Sequence, residues 1–275
     1  SHYRRSAPRP KITRFFREAK LTLTLTPVPG LPMFQPGQKL SQILLRAMES
    51  AAINIEDDDV LVVAQKIVSK VEGRLVNLND VIPSARALEL AQVTGKDPRF
   101  VELVLSESSE VLRTRFNTLI VEHRLGFVCA NAGIDHSNVC GPYGNPDDWT
   151  LLLPIDPDAS AAQIRQDIQA ATGKNIGVLI IDSHGRAWRM GVVGAAIGVS
   201  GLPALVDKRG DPDLFGYQLR VTTIAAADEL AAAASLVMGQ ADEGQPVVHV
   251  RGFPYPLREG SLRELIRPRD LDLFR

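Results

Sequence analysis

Three stretches of this 275-residue chain end an apolar run in side chains that carry hard oxygen atoms. The first is Leu125-Gly-Phe-Val-Cys-Ala-Asn-Ala-Gly-Ile-Asp-His-Ser-Asn138. Here Asp135 offers a carboxylate, Asn131 and Asn138 offer amides, and Gly133 lets backbone approach a ligand. The second is Ile181-Asp-Ser-His-Gly-Arg186, where Asp182 is followed by the Ser183 hydroxyl. The third is Met238-Gly-Gln-Ala-Asp-Glu-Gly-Gln245, with Gln240, Asp242 and Glu243. Oxygen donors of this kind suit Mg²⁺ or Mn²⁺, whereas zinc prefers Cys and His. Such ions bind phosphate oxygens, and the segment Gln65-Lys-Ile-Val-Ser-Lys70 offers two lysines, Lys66 and Lys70, as matching positive charge. The chemistry this spells is metal-assisted phosphate chemistry. Taken singly, the first stretch also reads as an Asx turn closing a strand, and the lysine segment as a solvated strand continuation. No GxxxxGKS/T loop and no GxGxxG after a strand occurs, so a nucleotide here needs another cradle.

Those side chains need elements to carry them. Strict Leu/Thr alternation over residues 21–26 predicts a half-buried strand, closed by Pro27-Val-Pro-Gly30. An irregular apolar loop, Leu31-Pro-Met-Phe34, follows. Leu40, Ile43, Leu44, Ala47, Met48 and Ala51 recur at helical spacing. Residues 60–64 and 176–181 read as buried strands that each end just before polar residues, and 125–130 reads as a third. Residues 118–122 predict a strand paired with that third one, and 247–250 a closing strand. Helices are predicted over 84–93, 97–113, 156–172 and 224–238, the third opened by acids at the positive end of its dipole. The Gly/Pro/Asn/Asp-rich residues 140–150 read as a site rim or lid. Residues 195–201 are small enough for tight packing or close ligand approach, and the chain from Gly260 reads as helical and charged, broken at Pro268.

Composition narrows the classes. The 31 basic and 32 acidic residues leave a net charge of -1, so no global field points to nucleic acid or a membrane surface. Cys129 and Cys140 make neither a zinc spacing nor a disulfide framework, which suits a reducing cytoplasm. No apolar run reaches the length of a membrane span, and no signal-peptide core opens the sequence. Residues 1–20 hold seven Lys or Arg against the single acid Glu18 and are expected to form a flexible basic extension. Residues 21–275 then form the working region, with an α+β (mixed α/β) fold.

The quoted motifs resemble the three signatures of the coenzyme F-420 gamma-glutamyl ligase family. Gly30-Leu-Pro-Met-Phe34 and Ile67-Val-Ser-Lys-Val-Glu-Gly-Arg74 match its N-terminal pieces in the same order. The likeness runs from about residue 21 to 255. It implies a GTP-dependent ligase that joins L-glutamate to the lactyl carboxylate of a deazaflavin precursor, with a further glutamate added through a gamma linkage. It also implies two intimately packed subdomains, an interwoven homodimer, two divalent ions (Mg or Mn) and a monovalent cation such as potassium. By position, Asp135 and Asp182 would hold one divalent ion and carry the catalysis, and Ser183 and Gln240 would hold the second. Leu31, Pro32, Met33, Phe34, Gln65, Lys66, Lys70, Asn138, Met238, Gly239, Gln240, Ala241, Asp242, Glu243, Gly244 and Gln245 would line the GTP site. Ser183 stands where the family often has Thr, and Gln65-Lys66 where small hydroxyl residues occur. Some members carry a C-terminal nitroreductase-like domain; none, and no flavin function, is expected of this sequence.

His136 and His184 each sit one residue from an implied metal ligand and read as loop or supporting histidines. Arg186 and Arg189 could hold an anionic substrate or be surface arginines. Two other functions use the same residues: a metal-dependent phosphohydrolase, and a non-catalytic nucleotide-binding relative. Both are separated from the ligase by whether GTP consumption requires glutamate and the deazaflavin precursor.

Overall fold

Residues with no polar neighbour on either side build the middle of the molecule. The computed structural model describes residues 22–273, so the basic extension lies outside the described residues. In chain order the elements are β1 (Thr24–Pro27), α1 (Leu40–Ser50), β2 (Val60–Ala64), α2 (Gln65–Val71), β3 (Leu75–Asn77), α3 (Ala85–Thr94) and α4 (Pro98–Ser106). Then come β4 (Ser108–Arg115), β5 (Thr118–His123), β6 (Val128–Ala130), β7 (Trp149–Leu151), α5 (Pro157–Thr172) and β8 (Gly177–Arg186). The chain continues with β9 (Arg189–Ser200), β10 (Val206–Asp207), β11 (Thr223–Ile224), α6 (Ala226–Met238) and β12 (Val247–Arg251). The fold is α+β.

The central sheet has five strands in the order β1-β12-β2-β8-β9. Only β2 and β8 are parallel, with Val60 opposite Gly177 and Ala64 opposite Ile181. A parallel pair needs a long crossover, and here everything between residues 65 and 176 supplies it. Apolar side chains on both faces of these strands let helices cover both. Leu61, Val63, Val178 and Ile180 pack with Leu44 and Met48 of α1 and Ile164 and Ile168 of α5. Val60, Val62, Leu179 and Ile181 point the other way, against Leu230, Ala231, Ala234 and Met238 of α6. Each fully buried Leu, Ile or Val contributes about 1.5–3 kcal/mol, so this double-faced core dominates the stability.

A third core lies outside the sheet. Leu90 of α3 and Phe100, Val101 and Val104 of α4 pack onto Leu119, Val121 and Cys129 of the three-stranded sheet β4-β5-β6. Phe127 packs against this core and against the α1/α5 side of the central one.

Several expectations are corrected. The helix expected over 97–113 stops at Ser106, and β4 takes up the chain because Val111 and Thr114 pair with Val121 and Leu119 across the Asn117 turn. The basic segment is not a strand continuation: α2 starts at the residue after β2, and it buries Gln65, Ile67, Val68 and Ser69. The strand at 125–130 is only Val128–Ala130, an edge strand with Cys129 buried and its neighbours exposed; it does pair with β5. β8 runs on through Arg186, so Asp182 and Ser183 lie within a strand and not in a loop beyond it. Residues 195–201 are mostly β9, whose glycines admit helices at close range: a Cβ at Gly198 would strike the Pro157 carbonyl, and one at Gly194 the Ala231 carbonyl. The helical C-terminal segment is reduced to two 3-10 turns, Leu262–Glu264 and Arg269–Leu271. The expected helix over 156–172 is present, capped by the Asp156 carboxylate accepting the Ala159 N–H at 3.0 Å and ended by Gly173 at φ 72°. Among the described residues no helix is long and apolar enough to cross a membrane.

Candidate active site

Because β2 and β8 run the same way, their carboxyl ends open on the same side of the sheet, where open α/β sheets hold ligands. A cavity of about 570 Å³ lies there. The Leu31-Pro32-Met33-Phe34 loop forms an apolar wall, and Gln65, Lys66 and Lys70 arrive on the first turns of α2. Asn138, Val139 and Cys140 close one rim. Asp182 and Ser183 rise from β8, and the opposite wall is Met238, Gly239, Gln240, Ala241, Asp242, Glu243, Gly244 and Gln245, the loop that leaves α6. Every residue expected around the nucleotide therefore borders one cavity. Asp135 stands behind Gln65, whose Nε2 donates to Asp135 Oδ2 at 2.5 Å.

The three oxygen-bearing stretches, remote in sequence, meet here. Burial pushes the Asp135 carboxyl up to about 6, and the negative charge of Asp182 adds to that rise. Lys66, whose Nζ lies 3.5 Å from Asp135 Oδ1, opposes it without cancelling it. Ser183 Oγ donates to Gln240 Oε1 at 2.7 Å, so strand and loop are tied across the cavity floor. Among the described residues no three His, Cys, Asp or Glu side chains gather into a metal site of their own. A divalent ion would draw on a mixed set of carboxylate, hydroxyl and amide oxygens. The donors are hard, and the two carboxylates repel one another, so the site fits Mg²⁺ or Mn²⁺.

The lysines reach across the cavity to the first stretch. Lys66 Nζ donates to Ser137 O at 3.2 Å and to Ser137 Oγ at 3.1 Å, and Lys70 Nζ to Asn138 O at 2.9 Å. Asn138 adopts φ 56° and donates from Nδ2 to Ala241 O at 3.0 Å, bridging to the loop opposite. Burial lowers the Lys70 ammonium below its ordinary range, and the charge of Lys66 lowers it further. Across from them the Glu243 carboxylate folds back to accept the Ala241 N–H at 2.7 Å, and backbone amides hold it below the usual carboxylate range. A Cβ at Gly239 would collide with that carboxylate, and Gly239 sits at φ 74°. Cys129, under the site, is pushed up to about 12 by burial and by Asp182, so it is an inert thiol.

His184 Nε2 lies 3.0 Å from Asp182 Oδ2, off the line of a hydrogen bond, and its ring leans on Phe127 with centroids 5.1 Å apart. His136 stacks on Phe100 at 5.4 Å. Arg186 and Arg189 face each other at the exposed end of the β8–β9 hairpin and do not border the cavity. Sequence reasoning passed over Ser235 and Val139, which also line the cavity, as does Cys140 at the start of the stretch read as a site rim. Ser235 accepts from Gln240 Nε2 at 2.9 Å; its signal was being a hydroxyl on the buried face of an Ala-rich helix.

The fold and site define an α+β protein with a cavity lined by lysines, carboxylates, hydroxyls and amides at the carboxyl ends of its parallel strands. The chain belongs to the F420-0:Gamma-glutamyl ligase family, whose model matches residues 30–252. It is 47% identical over 255 residues to the coenzyme F420:L-glutamate ligase of Methanothermobacter thermautotrophicus, spanning 92% of this chain and 99% of that protein. Identity to the protein of the same name from Methanocaldococcus jannaschii is 46% over 247 residues, covering 89% and 94% of the two chains. For Archaeoglobus fulgidus it is 45% over 250 residues, covering 90% and 95%.

Proposed function

We propose that the chain is an enzyme that joins L-glutamate to the lactyl carboxylate of the deazaflavin precursor of coenzyme F420 and consumes GTP in doing so. The names of its relatives support the two joined substrates. The observation that carries the nucleotide is the cavity itself: two lysines on one wall, a glycine-flanked loop on the other, Asp182 on its lining and Asp135 behind Gln65. A carboxylate is a poor electrophile at neutral pH. Transfer of the GTP γ-phosphoryl group to it gives an acyl phosphate, and the glutamate amine then attacks the carbonyl and expels inorganic phosphate. A second glutamate joins the first through its γ-carboxylate by the same cycle.

Each wall has a task in that scheme. Leu31, Pro32, Met33 and Phe34 offer apolar surface for the base, and Lys66 and Lys70 exchange their carbonyl partners for phosphate oxygens. The loop 238–245 lies along the nucleotide, and Asn138 ties that loop to the lysine side. Asp135 and Asp182 would hold one divalent ion, and Ser183 and Gln240 a second. Ions so placed neutralise phosphate charge and align the transfer. The working molecule is a homodimer in this reading, which the exposed large apolar side chains Trp188, Met190, Leu214, Phe215 and Val221 support. It comprises two subdomains, one around the central sheet and one around the third core.

The test is GTP consumption by the purified protein with Mn²⁺ or Mg²⁺, each substrate omitted in turn. The expected result is turnover that requires both glutamate and the precursor, and loss of it below detection in Asp135→Ala and Asp182→Ala with circular dichroism unchanged. Phosphate release without either substrate supports a phosphohydrolase; nucleotide binding without turnover supports a non-catalytic relative.

A further inference from the structure

The geometry points to Gln65 as a positioning residue that fixes the Asp135 carboxylate, with Ser69 anchoring the far end of the Gln65 amide. This rests on the reading of Asp135 as a divalent-ion ligand and goes beyond the expectation that Gln65 only contacts nucleotide.

Gln65 is the first residue of α2 and Ser69 stands one turn later, so both side chains lie on the same inward face. Gln65 is 2% exposed and Ser69 0%, which leaves little of Gln65 to offer a ligand in the cavity. Its polar ends are both engaged. Nε2 donates to Asp135 Oδ2 at 2.5 Å, and Oε1 accepts from Ser69 Oγ at 3.0 Å.

The chain of bonds has a single direction. An ionised carboxylate accepts only, so the amide must turn its nitrogen to Asp135. That leaves Oε1 for Ser69, and the hydroxyl must donate. The reversed amide would set Gln65 Oε1 against Asp135, so the carboxylate itself selects the orientation, and Ser69 holds it by satisfying the buried Oε1.

A neutral donor is the right chemistry for this task. Lys66, the other neighbour of Asp135, stays at 3.5 Å from the second oxygen. A lysine gripping at close range would offset the negative charge that an ion needs. Gln65 holds the carboxylate and leaves its charge to act with Asp182. Supporting contacts of this sort around a metal ligand are worth roughly 10–100-fold in metal affinity.

The experiment is Mn²⁺ binding to the full chain without substrates, followed by calorimetry and by the electron paramagnetic resonance of free Mn²⁺. GDP affinity and thermal midpoint are measured alongside. Gln65→Met, equal in length and without donors, is expected to weaken Mn²⁺ at least about tenfold. Ser69→Ala, which leaves the buried Gln65 Oε1 without a donor and so loosens the amide, is expected to weaken it by a smaller factor, and Ser69→Thr to restore it. GDP affinity measured without metal should stay within about twofold in Gln65→Met, since the loss acts through the ion. If Gln65→Met fails to fold, the Ser69 pair carries the same decision. Wild-type Mn²⁺ affinity in both Gln65→Met and Ser69→Ala, or metal-free GDP affinity that falls while Mn²⁺ affinity holds, overturns the inference. Absence of Mn²⁺ binding in the unaltered protein removes the reading of Asp135 itself, a different failure.

Discussion

At the scale of single residues, charge decides more than hydrophobicity. Glu107 is buried between α4 and β4, and burial alone would raise its carboxyl. The His123 ring 3.7 Å away and hydrogen bonds from Arg124 and Arg74 outweigh that and hold it at about 2, with Arg74 Nη2 at 2.9 Å and Arg124 Nε at 3.0 Å. The folded value lies below the unfolded one, so this group's contribution is complete above about 4.5 and disappears as pH falls toward about 2. The thermal midpoint of the wild type should therefore fall on acidification through that window. In Glu107→Gln the midpoint at pH 7 should already be lower and its acid dependence shallower; parallel curves for the two proteins would contradict this. Single-residue chemistry was partly legible in the sequence. Asp135, Asp182 and Gln240 stood out because oxygen donors closing apolar runs are conspicuous. The inward turn of Gln65 was not legible, since nothing at i and i+4 says which way an amide faces until α2 is known to be a helix packed on β2. Glu107 itself was hidden inside what read as a continuous helix.

At the scale of elements, the glycines of β9 set how close the helices come. Gly198 lies against the carbonyl of Pro157 at the start of α5, with no room for a Cβ. Gly198→Ala must separate strand and helix or distort both, and overpacking of this kind costs about 1–3 kcal/mol. Chemical denaturation should show a lower midpoint at unchanged slope; equal stability would mean that α5 can move away freely. Strands with both faces apolar, 60–64 and 176–181, were legible because nothing else accommodates such runs at that length. The strand β4 was not, because its residues Glu110, Arg113 and Arg115 prolong the charged pattern of α4 and only the partner β5 reveals the alternation. The extension of β8 through Asp182 was missed for the same reason: its partner β9 holds a polar stretch in the ladder that sequence alone assigns to a loop.

At the scale of the molecule, function depends on how a parallel pair gathers segments far apart along the chain. β2 delivers α2 with its lysines, β8 delivers Asp182 and Ser183, and β12 returns the loop that holds Gln240 to the same end of the sheet. The order of the motifs was readable from the sequence, but their convergence was not, because the crossover between β2 and β8 spans more than a third of the chain. The proposed activity requires that this convergence serve one bound nucleotide. The direct measurement is anomalous diffraction from a crystal holding Mn²⁺ and GDP. Manganese peaks are expected at the Asp135–Asp182 carboxylates and at Ser183–Gln240, with the diphosphate above them between Lys66, Lys70 and the 238–245 loop. Manganese bound away from these side chains, or a nucleotide seated outside this cavity, would contradict it.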